Sequence, residues 1–85
     1  MSGLEIKLPV MKAYKVTWTV TGECVYMAAE TARQAIYKTF LTLSDIHKAA
    51  RIIDLRAVRA FEFDHIAAEA RCAKSIHEKV LQVTQ

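Results

Sequence analysis

The chain has 85 residues, of which 53% are hydrophobic and 25% are charged. This length fits one domain, and the composition is that of a globular protein and excludes a disordered one. The net charge of +3 comes from twelve Lys and Arg residues interspersed with nine Asp and Glu residues, so it argues against both a strongly basic nucleic-acid surface and an acidic mimic of DNA.

Cysteine usage and hydropathy predict the cellular setting. Cys24 and Cys72 are the two cysteines of the chain, whereas small secreted scaffolds usually carry more, so we expect both to be reduced. The first ten residues include Glu5 and Lys7 and do not resemble a signal peptide. No uncharged run approaches the roughly 20 residues of a membrane span. We therefore expect a cytoplasmic protein without membrane contact.

Residues 1–11 are predicted to form an extended or flexible N-terminal arm, and residues 12–85 to form the single folded domain. Pro9 disfavours helix at Leu8, the residue before it. Leu4 and Ile6 alternate with Leu8, which leaves an added edge strand or a partner-binding strand as the alternative to a disordered terminus.

A β-hairpin is predicted over 12–20 and 23–29. Alternation places Tyr14, Val16, Trp18 and Val20 on one face of the first strand, and Gly22 suits the tight turn. The second strand is apolar on both faces, so it is either central in the sheet or covered on its second side. A face carrying Val25 and Met27 without a cover would be a candidate contact surface.

Thr31 and Gln34 match a capping box, which predicts the start of a helix. The helix is expected to end near Leu43, and Ser44-Asp45 is expected to cap a short second helix. The apolar residues at helical spacing in the first helix are Ala32, Ala35, Ile36, Phe40 and Leu43.

The second half of the chain is predicted to contain a third strand and a long helix. The strand is placed at Leu55–Phe63, with a β-bulge near Ala57–Val58 that restores one-sided alternation. The helix begins with Asp64 as its N-cap. Its predicted buried stripe consists of Ile66, Ala70, Ala73, Ile76 or His77, Val80 and Val83.

The assembled order is β-β-α-β-α. A right-handed crossover places the third strand beside the first, giving a two-layer α+β domain. Its three-stranded antiparallel sheet has the order 2-1-3, with both helices on one face. The edges of the second and third strands stay open, so a homodimer could form by edge pairing.

No residue pattern predicts catalysis, a metal site or a cofactor. The cysteines and His47, His65 and His77 lack the spacings of metal-ligand motifs. A glycine-rich phosphate loop is also missing, since Gly3 and Gly22 stand alone. These features favour a protein that is not an enzyme.

Arg51, Arg56 and Arg59 form the main basic cluster. Arginine is favoured in protein interfaces, and the same side chains could grip phosphates beside a sheet face that stacks bases on Tyr14, Trp18 or Tyr26. A solvated strand edge with core aromatics is the simpler alternative. The candidate partner-binding residues are Arg51, Arg56, Arg59, Arg33, Lys38, Val25 and Met27.

Two segments carry a resemblance to a known group of proteins. The strand Tyr14–Val20 followed by Ala29-Glu-Thr-Ala-Arg-Gln-Ala-Ile36 resembles the opening of small phage and prophage accessory proteins, and some anti-CRISPR proteins are similar in size and ββα layout. The resemblance covers about the first half of the chain. It implies a stoichiometric inhibitor that binds a bacterial defence complex in the host cytoplasm. A small nucleic-acid-binding regulator is the alternative.

Overall fold

A computed structural model of the chain describes residues 10–84. Within this range the strands are β1 (Lys12–Trp18), β2 (Cys24–Ala29), β3 (Leu55–Arg59) and β4 (Lys74–Ser75), and the α-helices are α1 (Ala32–Ile46), α2 (Asp64–Ala67) and α3 (His77–Thr84). The strands form one antiparallel sheet in the order β3-β1-β2-β4. The predicted α+β class and the order β2-β1-β3 are confirmed. The predicted count of three strands and two helices is wrong, because the last part of the chain adds β4 and a further helix.

The predicted hairpin forms, but its first strand is shorter than expected. The Trp18 N–H donates to the Glu23 carbonyl at 2.8 Å, and pairing ends there. Gly22 has a φ of +79°, a left-handed backbone angle that strains any residue with a Cβ. Val20, predicted to share a face with Tyr14, Val16 and Trp18, is 65% exposed. It follows the end of the strand, so alternation no longer fixes its direction.

Helix α1 begins at the predicted capping box. The Thr31 hydroxyl accepts a hydrogen bond from the Gln34 amide at 3.1 Å. The Gln34 side chain in turn accepts one from the Glu30 amide at 2.7 Å. Both bonds satisfy amides at the helix entry that have no partner within the helix.

Helix α1 runs past its predicted end at Leu43 and stops at Ile46. The Ser44 hydroxyl donates back to the Leu41 carbonyl, so it supports the existing helix and does not cap a new one. The predicted short second helix does not form. The chain instead turns and enters a 3₁₀ turn at Ile52–Asp54.

The helices cover both faces of the sheet, which corrects the prediction that both lie on one face. Helix α1 packs on the face that carries Tyr14, Val16 and Met27. Helices α2 and α3 pack on the opposite face, against Ala13 and Ala28. This explains why β2 is apolar on both sides, since it is central in the sheet and its two faces contribute to two cores.

Met11 belongs to the core on the α2–α3 face, where it is buried. The predicted arm at 1–11 therefore overlaps the packed domain at its last residue. Residues 1–9 of that arm lie outside the described residues.

Strand β3 is regular and shorter than predicted. It pairs with β1 in unbroken register from Tyr14↔Arg59 to Trp18↔Leu55, so the predicted bulge is absent. Phe61 and Phe63 lie in a 3₁₀ turn after the strand.

The predicted long helix is divided into α2, β4 and α3. Ile66, Ala70, Ile76 and Val80 are buried as expected, whereas Val83 is exposed. The apolar spacing thus identified buried positions correctly while the secondary structure differed. The reason is that β4 pairs with the outer side of β2, where Met27 lies opposite Ser75.

Candidate partner-binding groove

A groove lies between α1 and the β2–β4 side of the sheet. Its volume is about 450 Å³, within the usual range for binding sites. Val16, Trp18, Val25 and Met27 form its floor, since their side chains point to the α1 face of β1 and β2. We call this space the α1 groove; its walls come from α1 (Lys38, Thr39, Thr42, Leu43, Ile46), β3 (Leu55) and the segment Ala73, Lys74 and Ser75, with Glu23 and Cys24 at the hairpin end.

Small side chains on both walls leave the α1 groove unfilled. Thr39 and Thr42 stand on the helical wall, and Ala73 and Ser75 stand on the wall formed by β4 and the residue before it. The Thr39 hydroxyl donates to the Ala35 carbonyl at 2.8 Å. With its polar group bonded to the helix, this threonine can present a methyl group to the space.

The charged residues that line the α1 groove are Lys38, Lys74 and Glu23, and all are exposed. Two of these three residues are cations. The arrangement is an apolar floor with a border that carries a net positive charge. Such a surface complements an apolar segment that bears carboxylates.

Trp18 is the largest side chain in the floor of the α1 groove. Its ring lies 5.2 Å from the ring of His47, measured between centroids. The indole Nε1 is buried and has no hydrogen-bond acceptor among the described residues. Burying a polar N–H without an acceptor costs about 1–3 kcal/mol, so the benefit of this side chain comes from its apolar ring.

The structure brings three of the predicted partner-binding residues together. Val25, Met27 and Lys38 all line the α1 groove. The expectation that the Val25–Met27 face has no cover is wrong, because α1 lies over it. The same two residues remain candidates because α1 covers that face incompletely.

The other predicted contact residues lie apart from the α1 groove. Arg33 lines a separate, more open depression with Tyr37 and Ile52. Arg51 is exposed just before the 3₁₀ turn that leads into β3. No single surface therefore collects the predicted basic residues.

The Arg59 side chain is engaged in contacts within the fold. Its guanidinium forms an ion pair with Asp64 and lies 4.3 Å from the centre of the Phe61 ring and 5.5 Å from that of Tyr14. Asp64 was predicted to be a helix N-cap, but its carboxylate instead accepts from the Ala13 N–H at 2.9 Å. This carboxylate joins β1, the end of β3 and the start of α2.

Arg56 lies on the part of the sheet that α2 and α3 leave open. It is opposite Thr17 in the β1–β3 register, and Val58 is opposite Lys15. The two basic side chains and Val58 are exposed. This open sheet patch (Lys15, Thr17, Arg56, Val58) is the basic surface that the structure does assemble.

The aromatic side chains do not form a base-stacking platform. Tyr14 is buried and Trp18 half-buried beneath α1. Tyr26 is half-buried between Phe63 and His77, with ring centroids 5.2 and 5.8 Å away. These rings serve the cores, which was the simpler of the two interpretations of their alternation.

The far wall of the α1 groove was missed by sequence reasoning. Ala73 and Ser75 were placed on the long helix predicted from Asp64. Their position beside β2 depends on the pairing of β4 with β2. A strand of two residues is too short to produce an alternating pattern in the sequence.

Two further kinds of feature are absent from residues 10–84. No group of three or more His, Cys, Asp or Glu side chains is arranged to hold a metal ion. In the same range no helix combines the length and apolar character needed to cross a membrane.

No family model, no curated protein and no solved structure matches this chain. Its own surfaces are therefore the basis for a functional proposal. The α1 groove combines an apolar floor with a border of net positive charge, and three of the predicted contact residues line it.

Proposed function

We propose that this chain is a small non-enzymatic binding protein that acts by stoichiometric contact with another protein, and that the α1 groove is its docking site. The observation that carries this proposal is the open volume of about 450 Å³ beside the half-buried Val25 and Leu43 and the exposed Ile46. Apolar surface that is left accessible within a groove favours association, because a partner that fills it removes that surface from water.

The occupant that best fits the α1 groove is the apolar face of an amphipathic helix. The groove offers side chains rather than a long unpaired strand edge, since the outer side of β2 is partly taken by β4. Helices dock in such grooves through apolar anchors at helical spacing. Lys38 and Lys74 favour a helix with acidic residues beside those anchors.

The resemblance of the segment Ala29–Ile36 to small phage and prophage proteins supports one kind of partner, a bacterial defence complex. In that setting the chain acts as an inhibitor in the host cytoplasm by covering a surface of its target. Stoichiometric inhibition of this kind needs a docking surface and no catalytic group.

Affinity capture from bacterial lysate with quantitative mass spectrometry tests the proposal. Lys38→Glu reverses a charge at the border of the α1 groove, and Ile46→Glu places a charge on its lip. Both residues are exposed, so neither change disturbs a core. We expect the wild type to capture at least one specific protein. The captured amount of that protein should fall by about tenfold or more with either variant, because a buried like-charge contact costs over 1.4 kcal/mol.

Two matched controls make the result specific. Arg33→Glu repeats the charge reversal on the same helix outside the α1 groove, and Val83→Glu repeats the apolar-to-acidic change on α3. Both should capture the same proteins as the wild type. Capture that is equal for all four variants, or no specific capture by the wild type, would reject the α1 groove as the docking site. A purified partner can then be titrated while following Trp18, the single tryptophan of the chain.

The open sheet patch supports a second candidate function, binding of nucleic acid. Lys15 and Arg56 are both exposed there, on adjacent strands. Binding through phosphates predicts an affinity that falls steeply with salt and a salt dependence that weakens when either side chain is changed to Gln. No shift of single-stranded or duplex DNA or RNA at low salt would exclude this candidate.

A further inference from the structure

Strand β3 is an edge of the sheet, and within residues 10–84 no other strand pairs with its outer side. In antiparallel pairing, residues alternate between those bonded to the neighbouring strand and those whose backbone groups point away from it. The Ala60 N–H donates to the Ala13 carbonyl at 2.9 Å, and the Thr19 N–H donates to the Asp54 carbonyl at 2.9 Å. Both bonds obey the β1–β3 register, so the even-numbered residues of β3 face β1 and the odd-numbered ones face outward.

Ala57 is at the centre of this open edge. By the alternation above, its N–H and carbonyl point away from β1, and no backbone partner for them occurs among the described residues. The edge has neither a proline nor a bulge, which are two common ways to block strand addition. The Leu55 N–H is bonded to the Ile52 carbonyl, but the Leu55 carbonyl also points outward.

Exposed apolar side chains flank the same edge. Ile53 is 65% exposed just before β3, Val58 is 64% exposed within it, and Phe61 is 69% exposed just after it. Exposed apolar residues beside unpaired backbone groups mark a surface suited to pairing with another strand.

We propose that β3 pairs with β3 of a second copy of this chain, antiparallel about a twofold axis at Ala57. This register pairs the whole of β3 in both copies. The Ala57 backbone groups of the two copies bond reciprocally, and the Arg59 N–H of each copy donates to the Leu55 carbonyl of the other. The two four-stranded sheets become one continuous sheet.

The side chains on this edge are complementary to themselves in the proposed register. Arg56 lies opposite Val58 of the second copy, so the arginines do not face each other, as they would after a slip that centres the pair on Arg56. Ile53 and Phe61 lie in the 3₁₀ turns at the two ends of β3, so this register brings the turn with Ile53 in one copy next to the turn with Phe61 in the other. Each exposed apolar side chain of the edge therefore gains a neighbour, and the same contacts occur on both sides of the axis.

Sedimentation velocity and light scattering over a range of protein concentrations test the dimer. The wild type should approach twice the monomer mass as concentration rises. Ala57→Pro removes the outward N–H and leaves the β1–β3 bonds intact, because proline is tolerated on edge strands. It should weaken dimerisation by about tenfold or more, since it removes both reciprocal bonds at the axis. Ile53→Lys should weaken it as well, whereas Val83→Lys on α3 should not.

Other outcomes overturn the proposal. A monomer at every concentration excludes the pairing. A dimer that survives both Ala57→Pro and Ile53→Lys, or one that is dissociated by Lys38→Glu in the α1 groove, places the contact elsewhere. If Ala57→Pro does not fold by circular dichroism, hydrogen exchange of the wild type decides. The Ala57 and Arg59 amides must then exchange more slowly at high protein concentration. The capture of a partner by the α1 groove is independent of these variants.

Discussion

Removal of the Asp64 carboxylate should destabilise the protein by about 1–4 kcal/mol. In Asp64→Ala the Ala13 N–H loses its acceptor. Ala13 is fully buried, so leaving this amide unpaired costs about 1–3 kcal/mol. The ion pair with Arg59 is partly exposed and adds about 1 kcal/mol or less. For a domain of this size the unfolding midpoint should fall by roughly 5–30 °C.

Two further variants separate these contributions. Asp64→Asn keeps an oxygen that accepts from the Ala13 N–H and loses only the charge, so it should cost about 1 kcal/mol. Arg59→Met keeps an unbranched stem over the Phe61 ring and removes the same ion pair, and it should cost a similar amount.

Urea denaturation followed by far-ultraviolet circular dichroism measures these free energies of unfolding. The urea dependence should be unchanged, because the surface exposed on unfolding is the same. The reasoning is refuted if Asp64→Ala lies within about 0.5 kcal/mol of the wild type, the range of ordinary surface changes. It is also refuted if Asp64→Asn is as damaging as Asp64→Ala, since the Ala13 bond would then contribute nothing.

Three further substitutions test other parts of the structure. His77→Phe keeps a ring against Tyr26 but removes the Nδ1 that accepts from the Tyr26 N–H at 3.3 Å, and urea denaturation should show a loss of about 1–2 kcal/mol; an unchanged midpoint would mean that water replaces this bond. Trp18→Phe removes an N–H that has no acceptor in the described part of the chain. It should therefore cost much less than Trp18→Ala, for which about 2–3 kcal/mol is expected because the ring is half-buried; equal losses would contradict this account. Gly22→Ala should cost about 1 kcal/mol. The positive φ alone causes this loss, since a Cβ there meets nothing within 4 Å. Gly22→Asn should recover part of the loss, and equal stability of the two variants would be evidence against backbone strain.

The first half of the domain was predictable because its signals are local. Alternation in Lys12–Trp18, a glycine at the turn and the pair Thr31 and Gln34 each act within a few residues. The structure contains the corresponding hairpin and helix with small changes at their ends. Of the candidate site, Val25, Met27 and Lys38 could be named from these elements.

The second half was less predictable because its secondary structure depends on contacts between distant residues. Apolar spacing identified Ile66, Ile76 and Val80 as buried, and that result does not require a helix. Lys74 and Ser75 become a strand only because the outer side of β2 offers backbone partners. The secondary-structure propensity of a short segment contains no information about a pairing partner elsewhere in the chain.

The sequence by itself therefore determined the α+β class, the hairpin, the capped start of α1 and several of the buried positions. Tertiary structure alone decided that helices cover both faces of the sheet, that Arg59 is paired with Asp64, and that small residues from β4 and α1 leave the α1 groove open. The physical reason is how far apart along the chain the interacting residues lie. Turn, capping and burial preferences act over a few residues along the chain, whereas strand pairing, ion pairs and unfilled volume depend on residues that only folding brings together.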